Sequence, residues 1–353
     1  MFNNTTSLDT SSDTPQLFNN DCVLPENWTT APFAYGEVDS LLDTISLPIL
    51  FVFGIFGNTF TVVILFRQKG HWHTLERFLT ALAFSDTVLL IFDVLVVWLG
   101  YIRETELFDD SEIICKLHLY LSQTCYQFSA WILVALTIER LLSVVVPHKL
   151  RDIVTTKRVN IYITILVILA FGINSHLIFG TGHDEGESNK CWYESDSYES
   201  FYNIAWTWIE LFIEFAIPFV IILFSNVILL YKLSKRQKIL SQTKGLNTGR
   251  NQRLTLMVVM LCIVFCVSMS PYVLCKLFWE SWADNLHQLW CVDKEEYDEK
   301  VDQYTWIVAI TNAVSYINPS INFILYVISG SRFRGELKAL FLCKQAGNKN
   351  VFS

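Results

Sequence analysis

Hydrophobic residues along the chain gather in seven long runs, at 41–66, 78–99, 114–138, 159–180, 201–231, 254–279 and 304–328, with short polar stretches between them. Neither a 3.6-residue nor a 2-residue alternation organises these runs. A bilayer crossing takes ~20 mostly apolar residues, so the runs predict seven spans. Lipid offers no partner to a bare N–H or C=O, so each span must be helical throughout. The seventh is the most polar, with Asn312, Asn318 and Asn322. It is counted because amides inside a bundle can face other helices. The expected fold is an all-α membrane protein, a seven-transmembrane helix bundle over 41–328. Residues 1–40 form a polar N-terminal tail, and 329–353 hold a short amphipathic membrane-surface helix and tail.

Basic residues orient the bundle. Twenty of the 26 Lys and Arg lie around 67–77, 140–158, 232–253 and 332–349, all on one side of a seven-span chain. The other side holds Arg103, Lys116, Lys190, Lys276, Lys294 and Lys300. The basic side is expected to be cytoplasmic, which puts the N-terminus outside and the C-terminus inside a multi-pass plasma-membrane protein. Sequons at Asn3, Asn4 and Asn27 fall in the outer tail and are candidate glycosylation sites. That tail lacks a basic-then-apolar start, so the first span is expected to act as its own signal.

Composition removes several function classes. Apolar residues make up 52% of the chain and charged ones 17%, with a net charge of −8. Disorder and nucleic-acid binding are both excluded, since the latter needs a basic surface. The inter-span stretches are too short for a soluble enzyme domain, and they carry no Gly-rich phosphate loop or metal-ligand spacing. No catalytic residues are expected. Of nine Cys, Cys115 opens the third span on the outside and Cys191 sits in the next outer loop, where an oxidising exterior permits a bridge. Cys22 and Cys291 form a second exposed pair, whose bridge would tie the tail across the bundle mouth. Cys343, just past the last helix among basic residues, is a palmitoylation candidate.

A set of motifs then appears in order: Gly57-Asn58 in the first span, Leu82-Ala83-Phe84-Ser85-Asp86 in the second, Glu139-Arg140-Leu141 with Pro147 after the third, Pro218 in the fifth, and Phe265 with Pro271 in the sixth. In order and spacing the chain resembles the rhodopsin-like (class A) G-protein-coupled receptors over nearly all of 41–343. Departures are Met269 at the aromatic switch position, Phe171 at the fourth-span Trp and Asn226 at the fifth-span Tyr. The seventh-span Asn-Pro-x-x-Tyr has two frames. Asn318-Pro319 lacks the Tyr, while Asn322-Phe323-Ile324-Leu325-Tyr326 has Phe in place of Pro. The second is preferred because Tyr326 stands at the family's spacing from Phe333-Arg334. It shifts the helix-kinking Pro one turn outward, and the bend is expected to follow it.

The resemblance implies roles for particular residues. Asp86 is a mid-membrane acid, costly and functional by default. It is expected to join Ser129, Asn318 and Asn322 around a structural sodium ion, the one cofactor expected. Glu139 and Arg140, with Pro147, Phe265, Met269, Pro271, Asn322 and Tyr326, are expected to carry the switch and the coupling to a heterotrimeric G protein. Glu210 and Glu214 are four residues apart and share a helix face. With Asp93 and Glu280 they suggest an acidic cavity for a cationic ligand group. Ser122, Gln123, Lys276 and Asn312 complete the candidate ligand-facing set. Ser122 replaces the Asp of amine receptors, and Tyr316 replaces the Lys that holds retinal in opsins.

The sequence thus predicts a receptor for an extracellular ligand, a cationic and amidated neuropeptide by likeness to invertebrate FMRFamide-like receptors. A lipid or small-molecule ligand is the alternative, with a light sensor or secondary transporter further off. Membrane lipid and arrestin are further expected partners, the latter weakly recruited because Ser353 is the one hydroxyl residue after Arg334. Nucleic acid is not a partner.

Overall fold

In the computed structural model of the protein the described residues are 41–67, 74–103, 111–183, 191–240, 249–329 and 331–342. Among them, seven helices are long and apolar enough to cross a membrane: Thr44–Arg67, Thr74–Gly100, Glu112–Val145, Thr156–Gly180, Asp196–Lys235, Arg253–Phe278 and Lys294–Ser329. A surface helix, Ser331–Phe341, follows the seventh. Asn3, Asn4, Asn27, Cys22 and Cys343 lie outside the described residues, as do the side chains of Glu280 and Cys291.

The third span runs through the middle of the bundle, with a buried row that includes Ser122, Cys125, Ser129, Ile132, Leu133, Leu136 and Arg140. Around it the core joins Leu82, Leu89 and Leu90 of the second span to Ile222 of the fifth, Val258, Leu261, Phe265 and Met269 of the sixth, and Tyr326 of the seventh. Large apolar side chains such as Phe53, Ile168, Phe224 and Val267 stay exposed on the periphery, as a lipid-facing surface requires. The first span meets the seventh through Gly54 and Gly57. A Cβ on Gly57 would lie 2.8 Å from the Cβ of Phe323, and one on Gly54 would collide with Leu90. Small residues let two helix backbones approach closely.

Helix ends are capped where the sequence supplies a side chain. Asp293 accepts from the Glu295 and Glu296 N–H groups at 3.0 and 3.1 Å, starting the seventh helix. Arg334 donates to the Val327 and Ile328 carbonyls at 2.8 and 2.7 Å, satisfying that helix's last turn. Between these ends the seventh helix is interrupted at Tyr316, separating Lys294–Ser315 from Ile317–Ser329. Pro319 has no N–H to give the Ser315 carbonyl, and its ring crowds that group.

One end of the bundle is closed by a two-stranded antiparallel sheet, β1 (Thr181–His183) and β2 (Cys191–Tyr193). Cys191 in β2 is disulfide-bonded to Cys115 at the start of the third span, which pins the hairpin onto the bundle. Three π-helical turns widen the spans toward this same end, at Leu90–Val94 in the second and at Phe201–Trp206 and Leu211–Ala216 in the fifth. Such turns bond i to i+5 and hold one extra residue.

Candidate functional site

Below the hairpin, the fifth and sixth spans flank a small, partly open cavity lined by Thr207, Glu210, Leu211, Glu214, Phe215, Tyr272, Val273, Lys276 and Leu277. Lys276 donates to both oxygens of Glu210, at 2.5 and 2.6 Å. Its ammonium also lies 5.9 Å from the centre of the Tyr202 ring, a cation–π distance. Glu214 is 4% exposed. Among the described residues no side chain donates a hydrogen bond to it. The cavity therefore holds two carboxyl groups and one ammonium, and an uncompensated charge in such surroundings is costly.

The other candidate ligand residues lie outside that lining. Gln123 is buried. Ser122 is buried, and its hydroxyl has no partner among the described residues. Asn312 is half-buried one turn above the helix interruption, and its carbonyl accepts from the Tyr316 N–H. Asp93 is buried in the π-helical turn of the second span. It accepts from the Tyr126 hydroxyl at 3.0 Å and the Tyr316 hydroxyl at 3.2 Å, so each of its oxygens has a protein donor. Nearer the mouth, burial beside Tyr202 pushes the Tyr193 hydroxyl well above the usual tyrosine range.

In mid-bundle, Asp86 is 1% exposed. Asn322 donates to its Oδ2 at 2.7 Å and Ser129 to its Oδ1 at 3.2 Å, while Ser129 also reaches the Ser85 hydroxyl at 3.0 Å. Asn318 is buried one turn away, and Asn58 donates to the Pro319 carbonyl at 3.1 Å. Carboxylate and hydroxyl oxygens are the donors a hard cation prefers. The Tyr326 hydroxyl is buried with no partner among the described residues, and its ring packs 5.8 Å from Phe333 of the surface helix.

At the end opposite the hairpin, Arg140 donates to Glu139 at 3.0 Å, and Thr74 of the second span donates to the same oxygen. Both charged residues are buried. One turn inward, Thr137 and Cys262 touch at 3.1 Å, joining the third and sixth spans. Phe265 and Met269 are buried below Pro271, with Phe265 6.3 Å from Phe215 of the fifth span. Pro147 lies in the turn after the third span.

Residues 57–326 match the 7 transmembrane receptor (rhodopsin family). The chain belongs to that family. It is 23% identical to growth hormone secretagogue receptor type 1 of Mus musculus over 329 residues, which cover 88% of this chain and 86% of that one. It is likewise 23% identical to cysteinyl leukotriene receptor 1 of Cavia porcellus over 291 residues, covering 82% and 81%. As a rhodopsin-family receptor the protein is a multi-pass protein of the plasma membrane that takes an extracellular ligand and couples to a G protein.

Several residues of this rhodopsin-family receptor escaped the sequence reading. Tyr126, Tyr202 and Tyr272 look like ordinary apolar-face aromatics, and only the cost of burying Asp93 signals that hydroxyl donors must lie near it. An aromatic cluster near the hairpin was also missed. His176 packs on Trp206 at 4.1 Å and meets the Tyr198 hydroxyl at 2.7 Å, while Gly180 leaves room for the Tyr198 ring.

Proposed function

We propose that the receptor's ligand is a peptide bearing a cationic side chain, near an amidated C-terminus, and that this cation pairs with Glu214. The supporting observation is the charge count of the cavity: Lys276 is committed to Glu210 by two short hydrogen bonds, and Glu214 is left over. In this reading the hairpin end and residues 1–40 face outside, 41–328 form the bundle, and 329–353 face the cytoplasm. Arg140 and Glu139 act at the G-protein end. Asp86, Ser129, Asn318 and Asn322 hold a sodium ion. The narrower likeness to FMRFamide-like neuropeptide receptors belongs to the same proposal and rests on Asn322, Phe323 and Tyr326.

The testing experiment is a peptide-library screen on cells expressing the receptor, read by calcium and cyclic AMP, with Glu214→Gln run in parallel. Peptides with Arg or Lys should dominate the hits and lose potency on the variant. A second reading rests on Lys276. An acidic ligand could draw this ammonium away from Glu210, and the likeness to a cysteinyl leukotriene receptor stands beside that possibility. Acidic hits that lose potency on Lys276→Gln but not on Glu214→Gln would select it.

A further inference from the structure

Asp93 is bound by donors from two other helices. Tyr126 of the third span reaches one oxygen and Tyr316 of the seventh reaches the other, at 3.0 and 3.2 Å. Neither tyrosine is an arbitrary neighbour. The Tyr126 ring stacks on Tyr272 of the sixth span, with centroids 6.3 Å apart and planes 20° apart. Tyr272 in turn lines the cavity that holds Glu210, Glu214 and Lys276. Tyr316 is the residue at which the seventh helix is interrupted. Its carbonyl accepts from Ser320 at 2.7 Å, and the next turn carries Asn322 to Asp86.

The element that bears Asp93 is itself pinned. A π-helical turn leaves backbone groups out of the regular ladder, and His118 of the third span meets the Phe92 carbonyl at 2.7 Å. Asp93 therefore sits on a braced support. Coupling between two sites needs a physical element with two arrangements, and the interrupted seventh helix is such an element, because the bond that Pro319 cannot give the Ser315 carbonyl lowers the cost of bending there. Arg140 is held by Glu139 and the third and sixth spans are in contact at Thr137 and Cys262, so these bonds belong to the closed arrangement.

We propose that Asp93 is a clasp rather than a ligand contact: through Tyr126 and Tyr316 it holds the seventh-helix break closed, and displacement of the stacked Tyr272–Tyr126 pair by an occupant of the cavity releases it. The inference does not depend on which ligand fills the cavity, only on the cavity being where one binds. Hydrogen bonds to a carboxylate are stronger than neutral ones. Their loss on one side weakens a bond pair that bridges three helices.

The test uses the full-length receptor in cells, with agonist-free nucleotide exchange measured over a panel of heterotrimeric G proteins and normalised to the amount at the surface. Tyr126→Phe and Tyr316→Phe each delete one hydroxyl and keep the ring. Each is expected to raise basal exchange several-fold. Asp93→Asn combined with Tyr316→Phe should rise no further than Asp93→Asn alone, since both break one linkage. A merely structural role would lower surface amount and thermal stability without raising exchange. Should Asp93→Asn fail to reach the surface, the two Phe variants carry the test by themselves. Basal exchange equal to the unmodified receptor in both Phe variants overturns the clasp, as do fully additive effects of Asp93→Asn and Tyr316→Phe. The exchange assay contains no agonist, so failure of the clasp shows in basal exchange while failure of the ligand reading shows only in agonist potency.

Discussion

Phe323 occupies the space that Gly57 leaves open, with its Cβ 2.8 Å from where a Gly57 Cβ would stand. Its ring continues to Phe60 at 5.9 Å and to Phe333 at 5.6 Å, linking the first span, the seventh span and the surface helix. Gly57→Ala should overpack this contact, at a cost of ~1–3 kcal/mol. The expected result is a lower melting temperature of the detergent-solubilised receptor. An unchanged melting temperature in the single variant would show that the seventh helix yields without penalty.

Glu214→Gln keeps shape and removes charge. Removing one partner of a buried pair costs ~3–5 kcal/mol, on the order of a hundredfold or more in potency. The dose–response curve for a cationic peptide agonist should shift right by that order. An analogue with its Arg replaced by a neutral residue should shift much less between receptor and variant. Equal shifts for both peptides would remove Glu214 from the contact.

Sodium binding at Asp86 makes a reciprocal prediction. If the ion favours the resting arrangement, added sodium lowers agonist affinity, and agonist lowers sodium affinity by the same factor. Asp86→Asn should abolish that dependence while keeping an acceptor for Asn322. Agonist affinity that ignores sodium in the unmodified receptor would leave Asp86, Ser129 and Asn322 as a polar cluster without an ion.

Arg140 is bonded to Glu139, and Glu139 also accepts from Thr74. Arg140→Ala should remove G-protein signalling while ligand binding stays measurable. Glu139→Gln should weaken the pairing and raise basal signalling, because an ion pair becomes a bond from a cation to a neutral amide. Normal signalling from Arg140→Ala would place the coupling surface elsewhere.

The bundle was legible in the sequence because lipid leaves the chain few options. Seven apolar runs became seven spans, and the bridge expected between Cys115 and Cys191 is formed. Pairings across helices were less legible. Lys276 and Glu210 are 66 residues apart, and no periodicity within either span reveals that they meet. Nor did spacing expose the tyrosine donors of Asp93, since a hydroxyl at the tip of a ring leaves no mark on a hydrophobic pattern. The seventh span offered two overlapping frames. Its geometry separates their parts: Asn322 reaches Asp86, while the helix is interrupted one turn away beside Pro319.

The π-helical turns carry a consequence for how this receptor is compared with its relatives. A turn that holds an extra residue is, in evolutionary terms, a one-residue insertion absorbed without breaking the helix. Two lie in the fifth span between the hairpin and Pro218, and one in the second span beyond Asp86. Positions counted from those landmarks toward the hairpin end slip out of phase with a straight helix by about 100° per insertion. Against a relative whose helices are regular at these points, an ungapped alignment would assign Asp93, Glu210 and Trp206 to the wrong columns. Ligand-facing residues of such a relative can be transferred to this chain only after a gap is placed at each widened turn.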